Sequence, residues 1–378
     1  MLHKTTIYTF FIFIFFISFY LFYNMSLNWI YQTDSYLSDF PSHIRNTINI
    51  FQGELHFAYP VWHYLIYYSS IIFSLDFVMS SALISATVVT CYSIVIYLMT
   101  YYLLYRQSLE HLLLPLLVTL ILLIVGPLDF PDYNKYYILG QWSPNIWYSP
   151  TFVMLKPFAL LSIFFIVKTL KHQSFKLLTF TIIVAILSIF SKPSFIVVFL
   201  PAVLIYYFLR SNYQNKRNTI MILILFLSTV GSVFFQYSLL FSESSVSILV
   251  DICGVWSKYT TSILVSLVLG MAFPLAYLLL YPKKVYKCDY LLLSWIMAVI
   301  SFFIAITFAE SGERYMHGNF FWSYATSLNV LFIFSLILFI KHFDWKGIKT
   351  WTMLILLIAH IVFGYNYLVH ILGGGYAL

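Results

Sequence analysis

Long apolar runs follow one another along almost the whole chain. A run of roughly 17 to 27 mainly apolar residues is long enough to cross the hydrocarbon core of a bilayer as a helix. Only 9% of the residues are charged, against about 25% in soluble domains, so a soluble fold is excluded. We predict an all-α integral membrane protein with about 11 transmembrane helices. The predicted spans are 5–25, 79–105, 112–127, 152–168, 176–191, 194–209, 219–241, 259–281, 289–308, 319–340 and 350–370.

No polar block of domain size interrupts these runs. A single polytopic membrane domain over 1–378 is therefore predicted, without a separate soluble module. The first run begins after only a few residues and no small-residue cleavage site follows it, which is typical of a retained signal-anchor. Cys91, Cys253 and Cys288 are too far apart for a CxxC metal site or a disulfide framework, so no cysteine chemistry is expected.

The segment 61–75 is apolar enough to be a twelfth span, and the distribution of positive charge decides whether it crosses. Lys and Arg accumulate in cytoplasmic loops. If 61–75 does not cross, 14 of the 20 Lys and Arg residues lie inside; if it crosses, the four main basic clusters fall outside. The segment is also rich in Trp and Tyr, which suit the headgroup level. We predict an interfacial helix at 61–75, an inner N-terminus and an outer C-terminus.

This topology places three polar loops on the outer face, at 26–78, 128–151 and 309–320, so function is expected there. The first loop holds Asp34, Asp39 and His43. Asp39 and His43 are four residues apart and share one face if the segment is helical. Asp39-Phe-Pro also reads as a helix start, so a capping role for Asp39 is the alternative to a chemical one.

Two lysines are each followed by proline at the predicted outer level. Lys156 falls inside an apolar span, and an intramembrane charge is by default a candidate functional group. The alternative is that its side chain reaches the headgroups along the lipid. Lys192 lies between two closely spaced spans in the same Lys-Pro pattern. Both would suit a lipid phosphate, because a lysine binds phosphate as a point charge.

The other two outer loops offer groups that bind sugar or phosphate. Arg314 is a candidate for bidentate phosphate binding, with the alternative that it belongs to a solvated turn and is compensated by Glu313. His317 lies in the same loop. The second loop mixes aromatic faces with amides and carboxylates, which suits sugar hydroxyls, although its aromatic residues alone also fit an interfacial belt. The candidate sugar or acceptor contacts are Asp132, Gln141, Trp142, Asn145 and His317.

Several chemistries find no support in the sequence. It contains no Gly-rich phosphate loop, no HExxH, no GxSxG and no pattern of carboxylates along the spans that marks an ion-coupled transporter. The net charge of +7 reflects the loops of a membrane protein, so no nucleic-acid partner is expected. Nothing fixes the distances between Asp34, Asp39 and Asp132, so no divalent metal is predicted.

The order of elements around the first loop resembles that of the GT-C superfamily of membrane glycosyltransferases. In that family a first span is followed by an acidic residue, a short helix, a Gly, a Pro-containing turn and a juxtamembrane helix. The matching positions here are Asp39, a helix through Ile50, Gly53, Pro60 and the segment 61–75. The resemblance covers the chain as far as the second span, and the remainder matches only by the number and placement of spans.

The resemblance implies a helical bundle with a lipid-facing cavity and the transfer of a hexosyl or pentosyl group. The donor would be a polyprenyl-phosphate sugar, the acceptor a glycan or glycolipid, and no cofactor would be needed. Asp39 would be the general base, with His43 orienting it or the acceptor. The departing phosphate needs cationic stabilisation, a role open to Lys156, Lys192 or Arg314. Many members have Asp-Glu where this chain has Asp39-Phe40, which leaves the choice between Asp34 and Asp39 open.

Two other functions compete with glycosyl transfer. A polysaccharide polymerase or ligase also uses a lipid-linked glycan, but usually depends on several arginines in large outer loops, and here only Arg45 and Arg314 are outside. A lipid or polysaccharide transporter should show internal repeats or broken helices, and no convincing repeat is present. The Ile, Phe, Tyr, Asn and Lys usage indicates an AT-rich genome and favours a bacterial inner membrane and a cell-envelope polysaccharide as the product.

Overall fold

The computed structural model describes residues 2–31, 38–55, 57, 59–104, 112–129, 137–240 and 247–373. Almost all of these residues are helical. The helices are α1 (Leu2–Tyr31), α2 (Phe40–Gln52), α3 (Val61–Ile72), α4 (Phe77–Leu104), α5 (Leu113–Ile124), α6 (Tyr137–Gln141), α7 (Pro150–His172), α8 (Phe175–Ser191), α9 (Ser194–Leu209), α10 (Lys216–Leu240), α11 (Gly254–Ser257), α12 (Ile263–Leu280), α13 (Pro282–Lys287), α14 (Asp289–Thr307), α15 (Phe321–Lys341) and α16 (Ile348–Leu372). Two short strands, β1 (Ile248–Val250) and β2 (Phe308–Glu310), and 3-10 segments at Ser211–Tyr213 and Gly312–His317 complete the described part.

Eight described helical stretches are long and apolar enough to cross a membrane, one of them running from the 3-10 segment into α15, so the chain is an all-α integral membrane protein. The eight stretches are Thr5–Leu27, Phe77–Leu104, Pro150–His172, Lys216–Ser238, Ile263–Leu280, Asp289–Thr307, Arg314–Lys341 and Ile348–Leu372. Three further apolar helices, α5, α8 and α9, have 12, 17 and 16 residues. They coincide with the other three predicted spans, and the total of eleven stays a prediction.

Two compact units make up the chain. Unit 1 consists of Met1–Leu128, Asn145–Pro157 and Leu336–Leu378, and unit 2 of Asp129–Pro144 and Phe158–Ser335. Two of the boundaries between the units fall inside helices, after Pro157 in α7 and after Ser335 in α15. The single membrane domain expected from the sequence stays a prediction.

In unit 1, α1 and α4 pack along each other, and the two short helices α2 and α3 contact α4. The hydroxyl oxygens of Ser26 and Ser81 lie 2.8 Å apart across the first pair. Phe40 at the start of α2 stacks on Phe22 and meets the ring of Trp62 edge to face. The short helices are therefore fixed by aromatic packing at their own first turns.

Local sequence explains both ends of α2. Pro41 occupies the first turn, where the missing N–H costs no helical hydrogen bond. Gly53 ends the helix at φ 78°, and its N–H lies against the carbonyls of Asn49 and Ile50. The next helix, α3, has 12 residues and is about 18 Å long. It is shorter than a hydrocarbon core of about 30 Å, as is α5 with the same number of residues, and the expectation that 61–75 does not cross stays a prediction.

Another part of unit 1 is held together by a close contact between the end of α5 and α16. His360 Nδ1 lies 2.6 Å from the carbonyl oxygen of Gly126, and the Gly126 N–H donates to the His360 carbonyl at 3.1 Å. A Cβ atom at Gly364 would lie 1.9 Å from the carbonyl oxygen of Ile124. Only glycine allows this approach, which holds the segment after α5 in place.

Unit 2 is a helical bundle in which α10 packs on α8 and α9, and α9 packs on α14. The start of α14 is tied to the end of α9, because Asp289 forms an ion pair with Arg210 at 2.9 Å and accepts the Tyr213 hydroxyl at 2.7 Å. Helix α12 is interrupted at Met271, whose φ of −128° is not helical, and Pro274 follows one turn later.

Candidate functional site

Asp39 stands at the N-terminus of α2 but does not cap it. Its carboxylate makes no capping hydrogen bond, and its residue is half-buried. The backbone N–H of Asp39 donates to the carbonyl of Tyr148 at 2.9 Å, which attaches the start of α2 to the 145–157 segment of unit 1. The capping alternative therefore does not account for this carboxylate.

His43, one turn further along α2, pairs with a histidine that the sequence did not single out. Its Nδ1 lies 3.0 Å from Nε2 of His63 on α3. Both rings are buried, and Phe57 and Trp62 surround them at ring-centroid distances of 4.5 to 6.0 Å. His63 was not predicted as a site residue, because the aromatic segment 61–75 was interpreted as an interfacial helix. The signal that could have identified it is the presence of a second histidine in the same polar loop as His43.

Burial controls the charge of this pair. Desolvation lowers the pKa of His63 from 6.5 to about 3, and the backbone of Tyr59 opposes this only in part. His63 is therefore a neutral imidazole at physiological pH. A neutral ring has one N–H and one acceptor nitrogen, so a single proton lies between His43 and His63. The pair fixes the orientation of the His43 ring on the same helix as Asp39.

Lys156 is a buried ammonium group inside α7, and its residue is 1% exposed. Its Nζ lies 3.9 Å from the centroid of the Trp147 ring, with Tyr92 and Phe152 further away at 5.9 and 5.5 Å. Within the described part of the chain, no carboxylate forms an ion pair with it. The side chain is enclosed in unit 1 and does not extend along lipid in this structure.

Asn145 supplies the polar ligand of Lys156. Its side-chain NH₂ donates to the carbonyls of Leu122 and Val125, at 2.7 and 2.9 Å, at the end of α5. Because both donor positions are used there, the amide oxygen points the other way, and Lys156 Nζ donates to it at 3.3 Å. Asn145 was predicted to bind a sugar; that role stays a prediction, and the structure gives it a positioning role in unit 1.

In unit 2, Gln141 and Trp142 lie at a tight turn after α6. Trp142 has φ 61°, a conformation uncommon for residues other than glycine. Its indole stacks on Phe321 at 4.8 Å between centroids. A Cβ atom at Gly270 of α12 would lie 2.4 Å from the carbonyl oxygen of Gln141, so this turn presses directly on the helix. Gln141 is fully buried and donates to Asp129 at 3.3 Å.

Lys192 is the corresponding cation of unit 2. It ends α8, and its Nζ lies 4.0 Å from the centroid of the Trp322 ring. Trp322 in turn meets Trp142 edge to face at 6.1 Å, so one tryptophan connects two residues predicted for the site. Cation–π contacts with Trp are the strongest of their kind.

Arg314 and His317 lie on the 3-10 segment of unit 2 and are both exposed. Gly318, the next residue, has φ 59° and packs beside the indole of Trp142. The neighbouring Glu310 accepts a hydrogen bond from the Asn319 amide at 2.6 Å. The side chain of Glu313 is outside the described part, so the compensation of Arg314 by Glu313 stays open.

The structure thus groups the predicted residues by unit. Unit 1 contains Asp39, His43, Asn145 and Lys156; unit 2 contains Gln141, Trp142, Lys192, Arg314 and His317. Asp34 and Asp132 lie outside the described residues. Among the described residues no group of three or more His, Cys, Asp or Glu side chains is placed to hold a metal ion.

These features define the class of the molecule: an all-helical integral membrane protein with a buried lysine and tryptophan pair in each of two units. The chain matches no protein-family model, and no curated protein matches it significantly.

Proposed function

We propose that the protein is a glycosyltransferase of the GT-C type, which moves a sugar from a polyprenyl-phosphate donor to an acceptor glycan or lipid on the outer face of the membrane. The observation that carries the proposal concerns the side chain of Asp39. Asp39 stands at the N-terminus of the short helix α2, beside a membrane span, and its carboxylate makes no capping hydrogen bond there. The order of elements after it, from α2 through Gly53 and Pro60 to the short α3, supports the same function.

The reaction needs one base and one cation. The acceptor hydroxyl oxygen bonds to the anomeric carbon while the bond from that carbon to the phosphate oxygen breaks. The electron pair of the broken bond leaves with polyprenyl phosphate, and the hydroxyl proton passes to the Asp39 carboxylate. A carboxylate within hydrogen-bond reach of the attacking oxygen contributes typically 10²- to 10⁴-fold in rate.

Three cations are candidates for the leaving phosphate, and their exposure differs. Arg314 is exposed, so its guanidinium is accessible to a ligand. Lys192 and Lys156 are buried, so a phosphate contacts them only after the surrounding rings move. Charge-assisted hydrogen bonds from any of the three would stabilise the phosphate as its charge develops.

The test is turnover of radiolabelled polyprenyl-phosphate sugars by purified protein, with Asp39→Asn and Asp34→Asn beside the wild type. We expect donor consumption by the wild type, loss in the Asp39 variant and retention in the Asp34 variant. Loss in the Asp34 variant alone would transfer the role of base to Asp34. No consumption of any donor by the wild type would reject the proposed function.

One observation favours a second candidate, a transporter of lipid-linked glycans. Helix α12 is broken at Met271 inside a candidate span, and interrupted helices are typical of transporters. A transporter moves a labelled lipid across proteoliposomes without consuming it, whereas a transferase consumes the donor at one face. Measuring both quantities on one preparation separates the two functions.

A further inference from the structure

A two-stranded ribbon in unit 2 carries an exposed apolar face. Strands β1 and β2 pair antiparallel, with Ile248 opposite Glu310 and Val250 opposite Phe308. Side chains alternate along a strand, so Ile248 and Val250 project to the same side, and Ile252 follows in the turn after β1. They are 66%, 72% and 72% exposed. Three apolar side chains at this exposure within five residues mark a contact surface.

The ribbon lies at the end of a membrane span. Strand β2 begins directly after Thr307, the last residue of α14. The N–H groups of Asp251 and Cys253 donate to the carbonyls of Thr307 and Ile306, at 2.9 and 2.6 Å, in the last turn of that helix. Since α14 is a candidate span, the segment that follows β1 lies where this helix leaves the hydrocarbon core.

The exposed apolar surface of α14 also ends at the ribbon. Val299 and Phe303, one helical turn apart, are 49% and 58% exposed on a candidate span. The next position on that stripe is Thr307, whose carbonyl accepts from Asp251. The exposed apolar surface of the span therefore continues in sequence and in hydrogen bonding to the ribbon.

The polar groups of the ribbon form hydrogen bonds within unit 2. The Tyr315 hydroxyl donates to Asp251, and Asn319 donates to Glu310. Ser247 pairs with Ser311 through both its N–H and its hydroxyl. The polar groups of the ribbon are thus bonded within unit 2, and three branched apolar side chains beside them are exposed.

We propose that Ile248, Val250 and Ile252 insert into the acyl–headgroup boundary of the leaflet where α14 ends, so that the partner of this surface is lipid. Apolar side chains beside the end of a span lie at the depth where amphipathic segments bind membranes. A protein partner adding a strand is less favoured, because β1 has only three residues and offers few main-chain hydrogen bonds. The proposal does not depend on glycosyl transfer.

The experiment places one spin label at a time at Ile248→Cys, Val250→Cys and Ile252→Cys in the full chain, with Cys91, Cys253 and Cys288 replaced by serine. The protein is reconstituted in nanodiscs, and collision of the label with oxygen, which concentrates in lipid, is compared with collision with a water-soluble nickel chelate. Phe303→Cys on the exposed stripe of α14 is the lipid-facing control. Lys258→Cys, exposed after α11, is the control for a loop facing water.

We expect the three ribbon labels to show an oxygen-to-nickel ratio several-fold above that of the Lys258 label and close to that of the Phe303 label. A ratio like that of the Lys258 label would overturn the proposal in favour of a water-facing loop. Exclusion of both reagents would also overturn it, because the face would then be covered by protein, either a second copy or a partner. All three variants change exposed side chains, and their elution as the wild-type species confirms folding.

Discussion

Each unit of the protein contains a lysine that precedes a proline and lies about 4 Å from a tryptophan ring, but the two lysines have different surroundings. Lys156 is inside helix α7 with Asn145 as its polar ligand, and Lys192 is at the end of α8 beside Trp322. The comparison shows that one sequence pattern produces a fully enclosed cation in unit 1 and a less enclosed one in unit 2. The position of the lysine relative to the helix end determines the outcome.

The enclosed lysine is energetically the more unusual of the two. Burying a charge without an ionic partner is costly, and the contact with an aromatic face returns about 0.5–2 kcal/mol. Asn145 adds one hydrogen bond to a charged donor, worth about 1.5–3 kcal/mol. Unit 1 thus holds a buried lysine amine whose burial requires a specific local arrangement, which is typical of functional sites in membranes.

The largest expected effect concerns Asp39, and it tests whether unit 1 carries the chemistry. Asp39→Asn should reduce transfer by about 10²- to 10⁴-fold with little change in thermal stability, since the carboxylate does not cap α2. Asp76 is the matched control, because its carboxylate accepts the Met79 N–H at 2.7 Å at the start of α4. Asp76→Ala should cost about 0.5–2 kcal/mol in the free energy of unfolding and retain transfer. Unfolding in detergent and donor turnover measure the two quantities. The reverse pattern would show that Asp39 is a structural residue.

The second effect separates the two lysines directly. Lys156→Met removes an uncompensated buried charge and keeps an unbranched side chain against Trp147, so thermal stability should be unchanged or higher. Transfer should fall by about 10- to 100-fold in kcat/KM if the ammonium contacts the donor phosphate. Lys192→Met should change stability less, because Lys192 is less enclosed. Equal effects of both variants on stability and on transfer would contradict the difference between the two lysines.

A third, smaller effect concerns the residues that hold each site. Asn145→Ala removes two hydrogen bonds to the end of α5 and the ligand of Lys156, so it should cost about 2–4 kcal/mol in the free energy of unfolding. Asn329 in unit 2, which donates to the carbonyl of Pro144 at 2.8 Å, is the matched asparagine. Asn329→Ala should cost less, because it leaves the polar contact of Lys156 in place. Denaturation of both variants by the same method tests this, and equal costs would remove the special role of Asn145.

Features encoded locally were predictable from the sequence. Every predicted span coincides with an apolar helix, because apolar run length is a property of one segment. The start of α2 near Pro41 and its end at Gly53 follow from the conformational preferences of those two residues. The segment 61–75 contains helix α3, as expected, and its interfacial placement stays a prediction.

Features that depend on partners far along the chain were not predictable. The pairing of β1 with β2 joins residues about 60 positions apart, so no local sequence pattern predicts it. The role of Asn145 depends on carbonyl groups at the end of α5 that become available only where that helix stops. The partnership of His43 with His63 needs two helices to meet, so His63 was treated as one member of an aromatic belt.

The smallest expected effect, about 2 kcal/mol between pH 6.5 and 5, is a pH dependence of stability that comes from the His43 and His63 pair. Because the pKa of His63 is lowered to about 3 in the folded protein, the unfolded chain binds a proton more readily below pH 6.5. The stability associated with neutral His63 is complete above pH 6.5 and is lost as the pH falls toward 3, by about 1.4 kcal/mol per pH unit. His63→Phe removes this titration, so its unfolding free energy should fall less steeply between pH 6.5 and 5 than that of the wild type.

His317→Gln is the matched control for this measurement, since His317 is an exposed histidine of unit 2. It should keep the wild-type dependence of stability on pH, while His63→Phe flattens it. Thermal unfolding in detergent at half-unit intervals of pH gives both slopes. A wild-type slope in the His63 variant would mean that another group causes the acid sensitivity, and the neutral state of His63 would then explain nothing about how unit 1 orients His43. A flattened slope would instead assign the acid sensitivity to the histidine pair that joins α2 and α3, and would distinguish unit 1 from unit 2 by a property other than catalysis.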